Sequence, residues 1–75
     1  MDFKKATDIL CEAVTHSDLA DALGVSVATV RQARLGAAAK AHRSAPEGWR
    51  TGVVRLAEAR AKRLLRLVEQ LRQGT

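Results

Sequence analysis

Between Thr15 and Ser26 the chain reads THSDLADALGVS, and three residues in it restrict what can be built. Thr15 followed by Asp18 forms a capping box, in which side chain and backbone satisfy the unpaired N–H groups at a helix start. Gly24 can adopt the positive φ that closes a helix, and Ser26 is a cap for the next one. The stretch therefore predicts one short helix from Thr15 to Gly24 and a second from Ser26 to about Leu35. Nucleating so short a helix costs more than its few hydrogen bonds return, so neither stands alone. They must brace one another, and the apolar positions for this are Leu19, Ala20, Leu23, Val25, Val30 and Ala33, with the small Ala20 allowing a close crossing.

The flanking sequence supplies more helix. From Asp2 to Val14 the residues Phe3, Ala6, Ile9, Leu10, Ala13 and Val14 recur at three and four, which predicts an amphipathic first helix capped by Asp2. Gly36 is placed to end the third helix in a left-handed conformation. Residues 36–45 (GAAAKAHRSA) have no apolar period beyond alanine; they read as a loop, with an alanine-driven continuation of the third helix as the alternative. Pro46 suits a first helical turn and Ser44 with Glu47 offers a capping box, so a last helix is expected from there to about Gln73, its first turns weakened by Gly48 and Gly52. The expected fold is all-α, a compact bundle of about four helices. It divides into a core of three short helices with the following basic loop (1–45) and a long C-terminal amphipathic helix (46–75).

Composition narrows the class. A core drawn from 75 residues contributes only about 3–5 kcal/mol, so external support is expected. The single cysteine, Cys11, excludes an internal disulfide and a multi-cysteine metal site, and its neighbours Ile9, Leu10 and Val14 imply packing rather than reactivity. Neither a signal-peptide pattern nor a membrane-spanning run is visible, so a cytoplasmic, nucleoid-associated location is expected. Net charge is +5. Residues 1–25 carry two Lys against five Asp/Glu, whereas 26–50 carry five Lys/Arg against one Glu and 51–75 six against two. The positive excess begins at Ser26 and raises the prior for a polyanionic partner. His16 and His42 lack metal-ligand spacing, Asp18 and Asp21 are a helix-surface pair, and no nucleophile–base pairing or glycine-rich phosphate loop occurs. The expectation is a non-enzymatic protein without metal, cofactor or small-molecule ligand.

The run THSDLADALGVSVATV resembles the DNA-binding helix-turn-helix of bacterial and phage regulators, and most of all the repressor/Cro-like class, whose pattern T-x-x-x-L-A-x-x-L-G-V-S-x-x-T-V it meets at each specified position. The resemblance covers residues 15–35 strongly and 1–14 weakly. Two departures are Ala33, where the class usually has a larger aliphatic residue, and the long final helix, where it usually has one or two shorter ones. The resemblance implies a sequence-specific regulator of transcription that binds double-stranded DNA through the helix 26–35 in the major groove. With no ligand-sensing domain in so short a chain, control is expected to come from abundance, partners or operator. A helical hairpin within a protein-binding bundle is the plain structural alternative.

If Val25, Val30 and Ala33 face inward, then Ser26, Val27, Ala28, Arg31, Gln32 and Leu35 face outward. Arg31 can bond a guanine edge bidentately, Gln32 an adenine edge, and Val27 or Ala28 can touch a thymine methyl. A solvated helix surface is the alternative for Arg31 and Gln32. Phosphate contacts are expected from Thr15, His16, Ser17, Ser26, Thr29, Arg34, Lys40, His42 and Arg43, which lie at helix starts and in the basic loop.

In the last helix Val54, Ala57, Ala61, Leu64, Val68 and Leu71 are spaced 3, 4, 3, 4, 3, and Val53, Leu56 and Leu67 widen the face. Its first half is expected to pack on the preceding helices with Trp49 as anchor. The second half is expected to form a homodimer through Ala61, Leu64, Leu65, Val68 and Leu71, with Arg60 also on the partner surface; a helix folded wholly within one monomer is the alternative. A two-fold pair would read an inverted repeat with half-sites about 10 bp apart or a multiple. RNA polymerase or another regulator is a further candidate partner, and no membrane is expected to be one. The rival functions are an adaptor working through the last helix and a nucleoid-type or RNA-binding basic protein. With only Phe3 and Trp49 aromatic, no base-stacking platform exists for single-stranded RNA.

Overall fold

A computed structural model describes residues 1–36 and 38–74. The fold is all-helical, with α1 (Phe3–Leu10), α2 (His16–Leu23), α3 (Val27–Ala33) and α4 (Trp49–Gln73) in chain order. Helix α2 is the centre of the packing, with α3 against one side and α4 against another, while α1 also lies on α4.

The starts of α1 to α3 follow from single side chains. Asp2 Oδ1 accepts from the Lys5 N–H at 2.8 Å. Both halves of the Thr15 box form: Thr15 Oγ1 accepts from the Asp18 N–H at 3.1 Å and Asp18 Oδ2 accepts from the Thr15 N–H at 3.3 Å. Ser26 Oγ accepts from the Thr29 N–H at 3.1 Å. At the end of α2, Gly24 takes φ 68°, ψ 32°, and the N–H groups of Gly24 and Val25 reach the carbonyls of Asp21 and Ala20. That pair of bonds is a Schellman closure, which satisfies two orphan carbonyls and turns the chain toward α3.

The core consists of Phe3, Leu10, Val14, Leu19, Ala20, Val30 and Ala33, with Leu19 and Val30 fully enclosed. Trp49, Val53 and Leu56 of α4 close it from outside, and the Trp49 ring meets the Phe3 ring edge-on with centroids 5.3 Å apart. Trp49 is thus the anchor expected from the sequence. Gly52 lies where α4 crosses α2: a Cβ there would stand 2.5 Å from Leu23 Cδ2. The missing side chain lets the two helices meet.

Several boundaries differ from expectation. Helix α1 stops at Leu10, because residues 11–14 tighten into turns in which the Glu12 and Ala13 N–H groups bond three residues back. Its inward line is Phe3, Thr7, Leu10 and Val14 rather than one through Ile9, which is 59% exposed. The Thr7 hydroxyl is buried without penalty since it donates to the Phe3 carbonyl at 2.7 Å. Helix α3 ends at Ala33 with Arg34 in a right-handed cap, and Gly36 does not take positive φ. The stop comes from the Gln32 carbonyl, which accepts from the Leu35 and Arg43 N–H groups. Residues 38–45 form turns and irregular backbone, so the loop reading holds for that part of 36–45 and the helical alternative does not; Ala37 lies outside the described residues. Helix α4 begins only at Trp49. Gly48, at φ 74°, is its cap without any side-chain bond, so the Ser44–Glu47 box does not form.

Beyond Arg60 every described residue of α4 is exposed. At 25 residues the helix is about 37 Å long and overshoots the body, which gives the molecule extents of 53 × 20 × 19 Å and a radius of gyration of 14.8 Å. A compact domain of this length would have about 11 Å. No helix among the described residues is long and apolar enough to cross a membrane.

Candidate nucleic-acid interface

Helix α3 turns Val30 and Ala33 into the core and leaves Ala28 and Arg31 exposed along its far side, with Gln32 half-exposed beside Arg31 and Leu35 exposed just past the helix end. Because α2 separates α3 from the main contact with α4, this outer side is not covered by the long helix. Arg31 makes no ion pair with a described residue. Val27 differs from expectation: it is half-buried and packs against the core, so only part of its side chain is presented outward. The reason is its place in the first turn of α3, one helical turn before the fully buried Val30.

The basic loop is tied to the end of α3. His42 Nδ1 donates to the Leu35 carbonyl at 2.9 Å, and the Arg43 N–H donates to the Gln32 carbonyl at 3.2 Å. Lys40 and Arg43 are exposed along this segment, which extends the positive charge begun by Arg31. The His42 bond fixes a donor role for Nδ1 and leaves Nε2 as the atom available for another contact. At the other end of α3, Ser26 and Thr29 join their hydroxyls at 2.9 Å while Ser26 caps the helix. Thr15 is likewise occupied as a cap, and Ser17 beside it is exposed.

Two expected phosphate contacts are committed elsewhere. Arg34 reaches Asp8 through Nη2 and His16 Nε2 through Nη1, so it joins α1, α2 and the end of α3. Its side chain is 18% exposed, and its Nε is buried with no hydrogen-bond partner. A guanidinium has no acceptor, so His16 Nε2 must be the unprotonated nitrogen of a neutral ring. Burial, then the positive charges of Arg34 and Arg31, hold the His16 pKa below its ordinary value. His16 therefore does not offer a cation to a phosphate. The Asp8 carboxyl is also held below its ordinary range, first by its hydrogen bond with Lys4 and then by that with Arg34. Asp8 went unnoticed in the sequence because nothing local distinguishes it from a surface carboxylate paired with Lys4 four residues away; its second partner is 26 residues distant.

Arg60 is a further correction. Its Nη2 donates to Asp18 Oδ2 at 3.0 Å, so it closes the intramolecular contact between α4 and α2 rather than standing free on a partner surface. Ala61, Leu64, Leu65, Val68 and Leu71 are all exposed. No protein family, curated protein or solved structure matches the chain.

Proposed function

We propose that the protein is a sequence-specific double-stranded DNA-binding regulator of transcription that inserts α3 into the major groove. The observation that carries this reading is the outer side of α3: Arg31 exposed and free of ion pairs among the described residues, Gln32 next to it, the small Ala28 one turn earlier, and Lys40 and Arg43 beyond the helix end. Arg31 and Gln32 have the donor and acceptor geometry for guanine and adenine edges, and Ala28 is small enough to admit a thymine methyl. Thr15, Ser17, Ser26, Thr29, Lys40, His42 and Arg43 remain as phosphate contacts, which position the helix without reading sequence. Arg34 and His16 instead hold the body rigid behind it. Two copies joined through the distal half of α4 would present two such helices to an inverted repeat.

Selection of bound duplexes from a random pool at about 150 mM salt tests the reading, since at that salt nonspecific phosphate binding is weakened. Recovery of a defined motif supports it; an unenriched pool contradicts it. The adaptor reading is favoured by one observation, the uncovered leucines at the end of α4. It predicts that a chain carrying Arg31→Ala and Gln32→Ala functions as the parent does.

A further inference from the structure

The exposed end of α4 contains more apolar surface than solvation of one chain explains. The molecule exposes 5610 Å² at 8.1 kDa. A folded monomer of that mass exposes about 4,500 Å², so about 1,100 Å² is in excess, against about 800 Å² per partner in a standard protein–protein interface. Most of the large apolar side chains concerned lie together: Leu64, Leu65, Leu67, Val68 and Leu71 of α4 are each 40–64% exposed, and so is Ile9 of α1 at 59%.

We infer that this surface is covered by a second copy whose α4 runs antiparallel, with the two-fold axis near residue 66, and that Leu71 of each copy seats in a groove between α1 and α4 of the other. The groove, of about 230 Å³, is lined by Ile9, Leu10, Ala13, Ala57, Ala61 and Leu64, with Arg60, paired to Asp18, also in its wall. It exists because α4 has alanine at 57 and 61 where its stripe passes α1, and leucine or valine at 64, 68 and 71 where it has left the body. The small end and the large end are on the same stripe, so the surface complements itself only when the two helices run in opposite directions. With the axis at residue 66, Leu64 lies opposite Val68 of the second copy and Ala61 opposite its Leu71.

The residues flanking the stripe point the same way. In a parallel pair, positions flanking one side of the seam meet those flanking the other, which would set Leu67 against Arg72 and Arg60 against Leu65. In the antiparallel pair Leu65 meets Leu65 and Leu67 meets Leu67 across the axis, and Glu58 comes alongside Arg72 of the second copy. The parallel arrangement would also leave Ile9 and Ala13 uncovered.

This pairing does not depend on the DNA reading, but combined with it gives a distance. The part of α4 that contacts its own body runs from Trp49 to Arg60, so its midpoint is about 11 residues from the axis. At 1.5 Å per residue the two bodies are about 34 Å apart along the helix, close to one turn of duplex. Adjacent half-sites about 10 bp apart then follow.

The test is the full-length chain with Cys11→Ala and Arg55→Cys, spin-labelled at position 55 and measured by double electron–electron resonance, alongside sedimentation of the parent and of Ile9→Glu. Antiparallel pairing predicts a dimer, a label separation of about 35 Å, and a dimer dissociation constant raised at least about tenfold by Ile9→Glu. Ile9 is exposed in the monomer, so the variant's circular dichroism should stay at the parent's. A separation under about 20 Å, a chain that stays monomeric at about 100 µM, or an Ile9→Glu chain that dimerises as the parent does overturns the inference. A long separation with no preference among duplexes leaves the pairing intact and removes the DNA reading instead.

Discussion

One oxygen of Asp18 serves two helices: Oδ2 accepts from the Thr15 N–H at 3.3 Å and from Arg60 Nη2 at 3.0 Å. The capping box that starts α2 is therefore also where α4 is held by charge. The two interactions can be separated. Asp18→Asn retains an acceptor for the cap but loses the ion pair, which is more than a third exposed at each partner, and is expected to cost under about 1 kcal/mol. Asp18→Ala loses both and is expected to cost about 1–2 kcal/mol. Urea titrations of the two variants check the order; equal costs would mean that the pair, not the cap, dominates.

Past Arg60 the helix buries nothing in its own body. A chain ending after Arg63 is expected to keep the fold and, at low micromolar concentration, to lose less than about 1 kcal/mol of stability. Circular dichroism of the shortened chain should lose helical signal in proportion to the residues removed. Loss of cooperative unfolding in the remainder would instead show that the distal helix is structural within one copy.

At the crossing of α2 and α4 a Cβ on Gly52 would press on Leu23. Gly52→Ala gains about 1 kcal/mol of helix propensity, but the Leu23 methyl must turn aside, which offsets that gain, so no net stabilisation is expected. In a Leu23→Ala background the same substitution should become stabilising. A double-mutant cycle measures this coupling, and additive effects would place the helices further apart than the structure does.

The two short helices were legible because three of their four ends are set by neighbours in sequence: the Thr15 box, Gly24 and the Ser26 cap all act within four residues, whereas the end of α3 is held in part by Arg43, eleven residues beyond Gln32. The exposed stripe of α4 was legible for the same reason, since periodicity is local. What the sequence concealed depends on distant partners. Ile9 fits a helical period as well as Thr7 does, and only the position of the other helices decides that the hydroxyl is the one buried. The roles of Arg34 and Arg60 were missed likewise, because Asp8 and Asp18 lie 26 and 42 residues away from them. Ser44 and Glu47 have the right spacing for a cap, yet Gly48 takes the left-handed conformation and the helix begins after it. A satisfactory local motif loses here to the docking of Trp49 against Phe3.

The neutral His16 beside Arg34 predicts a pH dependence with a definite sign. Its folded pKa lies below the ordinary 6.5, so the unfolded chain binds the proton more readily. Its contribution to stability is present above about pH 6.5 and is lost as pH falls from there through the lower folded value. Asp8, whose folded pKa is also depressed, adds a loss only below the ordinary 3.8. The melting temperature should therefore fall between pH 7 and 5 in the parent and fall less in His16→Gln, whose side-chain oxygen can still accept from Arg34. Identical profiles would show that the ring is not held neutral.

The most direct test is fluorescence anisotropy with a selected duplex and a shuffled duplex of equal composition at about 150 mM salt, for the parent and for Arg31→Ala with Gln32→Ala. The parent is expected to prefer the selected duplex by at least about a thousandfold, and the double variant, folded as the parent is, to lose most of that preference while retaining weak binding to both. Equal affinity of the parent for the two duplexes, or a preference untouched by the double substitution, would contradict the assignment of α3 as the reading helix.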